Sequence, residues 1–395
     1  MIRRQPPVFS PLPLGALLRY AVPAPERAVA ALRDTVRKRF PVEDALLCGS
    51  GTQALQLALQ AACRPGRGGR LVALPAFACY DLASAAIGAN VEVVFYDIDP
   101  DTLAPDMASL SRALEREPAA LVVAPLFGYQ PDWDEVRALT TRHGARLIED
   151  AAQSFGALWR GGPVGGIGDL SVLSFGRGKG WTAVEGGALL GPEAEVERLR
   201  TALLPCPAGA AATARTLLEG LAQWAFARPL LYGLPTAVPA LRLGETVYHP
   251  PVAPRALGPR SARLALETLG VSEREADARR ARARAMARWV EAQGSADLRV
   301  PRVQDGSEPG GLRLPVVASP EVRGRLLERG RALGIMPGYP LALHELPPLK
   351  RYIAEARCFP GAEALAERLV TLPTHSLLRD SDMSLIAALL RDADG

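Results

Sequence analysis

Between residues 70 and 175, short apolar runs alternate with amphipathic ones, and this alternation constrains the fold more than any other feature of the chain. RLVALP (70–75), VEVVFYDID (91–99), AALVVAPLFG (119–128), ARLIED (145–150) and LSVLSF (170–175) are nearly continuous in apolar residues. CYDLASAAIGA, MASLSRALE and DWDEVRALTTRHG, which lie between them, carry apolar residues at helical spacing. Strands that are apolar on both faces belong in a parallel sheet with helices covering each side. The pattern therefore predicts an α/β fold with a large, mostly parallel α/β/α domain, in which ligands bind beyond the carboxyl ends of the strands. After about residue 200 the composition shifts. The segment 201–259 is rich in alanine, leucine and proline, and a long arginine-studded helix follows at 261–294. LRLPVVA, SPEVRGRLLERGRALG and a last helix around DMSLIAALLRDA complete a smaller α+β domain. The expected division is a large domain over 1–250, with an apolar insertion at about 201–250, and a small C-terminal domain over 251–395.

Several functional classes are disfavoured. The formal charge is +4 over 395 residues, and no lysine/arginine cluster is interleaved with aromatics, so nucleic acid is a poor candidate partner. The four histidines lack metal-ligand spacing. The five cysteines are widely separated and odd in number, which suits reduced thiols and a cytoplasmic setting. The stretch MIRRQPPVFSPLPLG starts basic, but its prolines leave no continuous apolar segment of the kind a signal peptide needs. TLLEGLAQWAFARPLLYGLPTAVPALRL (216–243) is apolar but interrupted by charges and prolines, so it is expected to pack inside the protein or line a hydrophobic cleft, not cross a bilayer.

Of the 46 basic side chains only three are lysines, Lys38, Lys179 and Lys350. Lys179 sits in SFGRGKGWTAVEGG (174–187), just beyond an apolar strand. Arginine keeps its charge permanently, whereas lysine can lose its proton and attack a carbonyl. Three further elements accompany it. In LLCGSGTQALQLALQAA (46–62), Ser50, Gly51 and Thr52 open a helix whose free N–H groups and positive dipole end suit a phosphate; the alternative is a plain capped helix with Ser50 or Thr52 as the cap. The same turn fits the glycine pattern of nicotinamide-binding folds, but no acidic residue closes a second strand at the required distance. In LIEDAAQSFGA, Asp150 ends a strand and Gln153 follows three residues later, an arrangement that also resembles a capping box. Ser174 ends the next strand. A phosphate cradle, a strand-end carboxylate, a hydroxyl and a lone lysine together match the needs of pyridoxal 5′-phosphate. Burial near a cationic ring is expected to lower the lysine pKa.

The run SGT, then LPAFACYDLASAAIGANVEVVFYDIDPDTL, then PLFGYQPDWDEVRALTTRHGARLIEDAAQSFGA and SFGRGKGWTAVEGG, resembles the DegT/DnrJ/EryC1/StrS aminotransferases. The likeness continues through GIMPGYPLALHELPPLKRY and ERLVTLPTHSLLRDSDMSLI. The resemblance implies a fold-type I, aspartate aminotransferase-like architecture and a cytoplasmic homodimer with active sites at the subunit interface. It also implies transfer of an amino group, typically from glutamate to a nucleotide-linked keto-sugar. By position, Lys179 matches the residue that links to the cofactor, Asp150 the partner of the pyridine nitrogen, and Gln153 the residue at the phenolic oxygen. Gly51, Thr52 and Ser174 match the phosphate binders, with Ser50 beside them. The sequence departs from the family where a ring-stacking aromatic is usual: Cys79 stands there, with Tyr80 and Phe77 as candidates to take over. The asparagine that commonly reaches across the dimer falls near Ala256, with Arg255, Tyr248 or His249 as substitutes. Arg177 is a candidate for a phosphate or carboxylate contact, and the apolar 201–250 region suggests an acceptor more hydrophobic than a nucleotide sugar. A pyridoxal phosphate-binding regulatory protein without turnover is the alternative from another class.

Overall fold

A seven-stranded sheet organises the larger part of the chain. The structure, a computed structural model, describes residues 3–63, 69–207, 209–233, 246–355 and 357–394. Two N-terminal helices, α1 (Leu14–Arg19) and α2 (Arg27–Arg39), lead into β1 (Asp44–Cys48). Helix and strand then alternate through α3 (Gly51–Ala62), β2 (Leu71–Pro75), α4 (Asp81–Ala89), β3 (Glu92–Tyr96), α5 (Met107–Leu114), β4 (Ala120–Val123), α6 (Trp133–Arg142) and β5 (Arg146–Asp150). The short β6 (Leu158–Trp159) and β7 (Gly162–Pro163) precede β8 (Leu170–Ser174), β9 (Gly187–Gly191), α7 (Glu193–Arg200) and α8 (Ala210–Phe226). Strand order is β1-β9-β8-β5-β4-β2-β3, with β9 antiparallel to both of its neighbours and the remaining pairs parallel. The apolar runs read as strands all enter this sheet, and their centres, such as Val72, Ala73, Leu121, Val122 and Ile148, are completely buried between helices.

The second body begins within one helix. α9 (Pro259–Glu291) packs Ala262, Leu264 and Ala265 with Leu32 and Val36 of α2, while Met286 and Val290 at its far end join the core of the smaller part. That part contains β10 (Leu298–Arg299), β11 (Ser307–Glu308), β12 (Leu314–Ala318), α10 (Pro320–Gly330), β13 (Met336–Pro337), α11 (Pro360–Arg368), β14 (Leu369–Leu372) and α12 (Asp380–Asp394). Its four-stranded sheet runs β10-β12-β14-β13. Part of the apolar segment, residues 234–245, lies outside the described residues. Among the described residues no helix is long and apolar enough to cross a membrane.

The first residues also belong to the smaller part. Arg3 and Gln5 donate to Asp382 of α12 at 2.6 and 2.9 Å, and the backbone N–H of Gln5 donates to Ala332 at 2.8 Å. The carbonyls of Pro7 and Phe9 accept from Arg313 and Arg279, and the carbonyl of Pro6 pairs with His375 Nε2 at 2.8 Å. This strap then crosses to the large body, where Ser10 Oγ donates to the carbonyl of Lys179 at 2.7 Å.

His375 is 1% exposed, and burial, reinforced by Arg279, Arg313 and Arg282, pushes its pKa down to about 3 while the hydrogen bond to Pro6 opposes the shift. Between the ordinary histidine value and about 3, the unfolded chain therefore binds a proton that the folded chain refuses. Stability from this group is complete above about pH 6.5 and falls as the pH drops, by about 1.4 kcal/mol per pH unit. His375→Gln is expected to flatten the stability profile between about pH 6 and pH 4. Urea midpoints of both proteins across that range test this; parallel profiles would assign the acid sensitivity elsewhere.

Candidate active site

The site lies at the carboxyl edge of the sheet, where β5 ends at Asp150, β8 ends at Ser174 and α3 begins at Gly51. Gly51, Thr52, Cys79, Asp81, Asp150, Gln153, Ser174 and Lys179 all line one cleft there. Ser50 does not line it. Ser50 caps α3, its Oγ accepting from the N–H of Gln53 at 3.2 Å. The cap leaves the N–H groups of Gly51 and Thr52 without intrahelical partners, as every first helical turn does. A Cβ on Gly51 would stand 2.7 Å from Ser174 Cβ, so only glycine lets the helix start approach the end of β8 this closely.

Alternation along β5 decides which of two adjacent acids reaches the cleft. Glu149 is completely buried on the other side, where it accepts from Ser171 Oγ at 2.7 Å and from the N–H groups of Gly165 and Ile167 at 2.8 Å. Asp150 points into the cleft, with Oδ1 accepting from the N–H of Ala152 at 3.0 Å. Burial raises its pKa, against the pull of Lys179.

Lys179 is held by the loop between β8 and β9. Phe175 and Trp181 bury their rings on either side of it, 4.6 Å apart, and Trp181 Nε1 donates to the carbonyl of Ala265 at 2.9 Å. Gly178, just before the lysine, has φ +78° with open space around it, so the backbone conformation alone favours glycine there. Burial by itself would lower the Lys179 pKa, but Cys79, Asp81 and Asp150 together outweigh it, and the net shift is upward. The sequence expectation of a lowered value concerned the lysine beside a cationic ring; in the protein by itself the neighbouring carboxylates dominate.

Other expected residues separate. Cys79 faces the cleft, and burial pushes its thiol up to about 12, so it stays protonated. Tyr80 turns away: it is 4% exposed, and its hydroxyl accepts from the N–H of Leu341 at 3.0 Å. Phe77 is fully buried, 5.5 Å from the ring of Tyr339. Gln153 spans the edge of the cleft, its Oε1 accepting from the N–H of Phe127 at 3.1 Å and its Nε2 donating to Tyr339 Oη at 2.9 Å. The segment at Arg255 is locked within its own chain: its backbone N–H donates to Gln53 Oε1 at 3.1 Å, its guanidinium to Glu185 at 2.9 Å, and its carbonyl accepts from Gly49. Ala256 bridges to Cys48, and the carbonyl of His249 accepts from Ser84. Tyr248 packs, partly buried, against the main core.

Two residues were missed. Asp81 opens α4, where an acid reads as ordinary support for the helix dipole, yet it lines the cleft and bears on Lys179, Asp150 and Cys79. Tyr339 comes from the smaller body, more than 180 residues beyond Gln153 in sequence, and no spacing rule could join them. Burial holds its hydroxyl well above the ordinary tyrosine value. A lysine flanked by two carboxylates, beside a helix start open to an anion, can bind a phosphorylated aldehyde and manage protons at one nitrogen.

Residues 27–215 match the model of the DegT/DnrJ/EryC1/StrS aminotransferase family. The match covers just under half of the chain. The L-glutamine:2-deoxy-scyllo-inosose aminotransferase of Streptomyces paromomycinus is 35% identical over 184 residues, which span 46% of this chain and 43% of the relative. The UDP-N-acetyl-3-dehydro-alpha-D-glucosamine 3-aminotransferase of Acidithiobacillus ferrooxidans is 36% identical over 152 residues, covering 38% of this chain and 41% of that one. The chain thus aligns with less than half the length of these family members. Over its full extent the fold is shared with the crystal structure of a DegT DnrJ EryC1 StrS aminotransferase from Brucella abortus, at TM-score 0.74 and 24% identity over 97% of this chain and 96% of that one.

Proposed function

We propose that the protein is an aminotransferase that uses pyridoxal 5′-phosphate to move an amino group from glutamate or a related amino acid to a keto acceptor, in polysaccharide or natural-product biosynthesis. The observation that carries this reading is the convergence of Lys179, Asp150 and the start of α3 on one cleft. The residues fit the cofactor. Its phosphate needs hydrogen-bond donors, and Gly51, Thr52 and Ser174 line the cleft together at the start of α3, where the positive end of the helix dipole favours an anion. Its ring nitrogen needs a carboxylate, and Asp150 offers one that is largely shielded from water. When bound, the cofactor supplies an electrophilic aldehyde and a ring that withdraws electrons from the substrate.

In this reading Lys179 Nζ holds the cofactor covalently and, once displaced by an amino donor, carries the proton to and from the substrate carbon. Asp150 keeps the ring nitrogen protonated, and that positive charge in turn stabilises the buried carboxylate. Gln153, already oriented by Phe127 and Tyr339, serves the ring's oxygen with its remaining N–H. Asp81 adds a second negative charge that favours the ammonium form of the displaced lysine. Cys79 lines the cleft and would stand at the ring where the family usually places an aromatic, offering a small neutral thiol in its place. The active form is expected to be a homodimer. The five cysteines are all free, which supports a reducing, cytoplasmic setting.

The experiment is to incubate the protein with pyridoxal 5′-phosphate, reduce with borohydride and map the modified peptide. The expected result is a single adduct on Lys179, and an unreduced sample should lose its yellow colour on addition of L-glutamate or L-glutamine. Absence of the adduct defeats the proposal. An adduct without bleaching by any amino acid would instead favour the cofactor-binding protein without turnover.

A further inference from the structure

Gln153 joins the cofactor cleft to a second, larger space. Phe127 and Tyr339, which hold its amide, also line with Gly178 a cavity of about 610 Å³. That size lies within the range of small-molecule sites, about 300–1,000 Å³. Among the described residues its wall is mainly apolar, with Phe226 and Tyr232 from the end of α8 and the turn after it, and Met336 from β13. The α8 residues that line it lie beyond residue 215, where the family match ends.

Two polar side chains stand out against this lining. The amide of Gln223 has both its nitrogen and its oxygen shielded from solvent and without a hydrogen-bond partner. That amide is enclosed by protein, so Gln223 shapes the wall without presenting a free polar group to the cavity. Arg177, two residues before Lys179, is exposed at the cavity and makes no hydrogen bond or ion pair among the described residues. A third group adds positive potential. Arg313 is 6% exposed and donates to Thr371 Oγ1 and to the carbonyls of Thr371, Gly334 and Pro7, with no carboxylate paired to it among the described residues. Phe226, Met336 and the ring of Tyr232 offer an apolar body a surface that sugar hydroxyls would not match.

We propose that this cavity seats the body of the amino acceptor, and that the acceptor is a carbonyl compound with an apolar body and one anionic group, the anion meeting Arg177. The inference rests on the amino-transfer reading of the adjoining cleft. Octanoate is a suitable probe, because it has an apolar body and an anion but no reactive carbonyl; octan-1-ol is its uncharged counterpart. Calorimetric titration into the cofactor-loaded protein is expected to show saturable octanoate binding. Arg177→Met should weaken octanoate roughly tenfold or more while leaving octan-1-ol within about twofold. Ala227→Trp, which fills the cavity from the end of α8, should abolish binding of both. Failure of octanoate to bind, unchanged affinity in both variants, or equal loss of the two probes in Arg177→Met would each overturn the proposal. Borohydride trapping on the same wild-type sample separates the two levels. A Lys179 adduct without octanoate binding sinks only the acceptor subsite, whereas a missing adduct sinks the amino-transfer reading and this inference with it.

Discussion

Lys179→Arg is expected to abolish covalent capture of the cofactor and to reduce amino transfer by roughly 10⁴-fold or more, because a guanidinium retains charge but provides no amine nucleophile. The fold should tolerate the change. The loop is fixed by the rings of Phe175 and Trp181 and by the Ser10 hydrogen bond to the backbone at this position, none of which involves the lysine amine. Asp81 and Asp150 also leave an acidic environment for a replacement cation. The melting temperature is therefore expected to stay within a few degrees of wild type, an effect of under about 1 kcal/mol. Peptide mapping after borohydride, together with calorimetric melting, tests both parts. A cofactor adduct that persists in the variant would move the nucleophile to another residue.

The second large effect is expected for Asp150→Asn. The amide keeps the size of the carboxylate and can still accept the Ala152 N–H, now seen at 3.0 Å, so local structure is preserved. What is lost is the negative charge that would hold the ring nitrogen protonated. Removing one preorganised electrostatic partner of this kind lowers a rate by roughly 10²–10³-fold. Lys179 also loses one of the three groups that raise its pKa, so its pKa should move down. Single-turnover bleaching by L-glutamate measures the rate effect, and the pH dependence of cofactor capture measures the shift. A rate within threefold of wild type would remove Asp150 from its proposed position at the ring. The two variants differ in kind: Lys179→Arg should lose the adduct, whereas Asp150→Asn should retain it and react slowly.

Much of the frame was legible from local pattern. Every apolar run between 70 and 175 became a strand of the main sheet, because a run apolar on both faces can bury itself only between two helical layers. Strand ends were legible for the same reason, and with them the positions of Asp150 and Ser174. The start of α3 was marked by small residues and a cap: Ser50 is the cap, and Gly51 and Thr52 beyond it line the cleft. The closing strand β9 was not singled out; its antiparallel pairing with β1 and β8 is a long-range arrangement that a short run such as GALLG does not announce.

The choice of partners for the lysine depended on distance in space. Tyr80 and Cys79 are neighbours in sequence, yet one turns toward Leu341 and the other into the cleft. Asp81 passed as a helix-end charge until α4 was placed against β5 and the lysine loop. Tyr339 and Arg313 belong to the smaller body and gain meaning only where that body meets the large one, at Gln153 and at the N-terminal strap. The layered sheet, the strand-end position of the cleft and its rare lysine follow from local pattern, because period, burial and residue chemistry act over a few neighbouring residues. Which acids and aromatics surround that lysine, and what lines the cavity beside it, follow from packing, because those contacts join elements far apart in the chain whose spacing carries no information about their meeting.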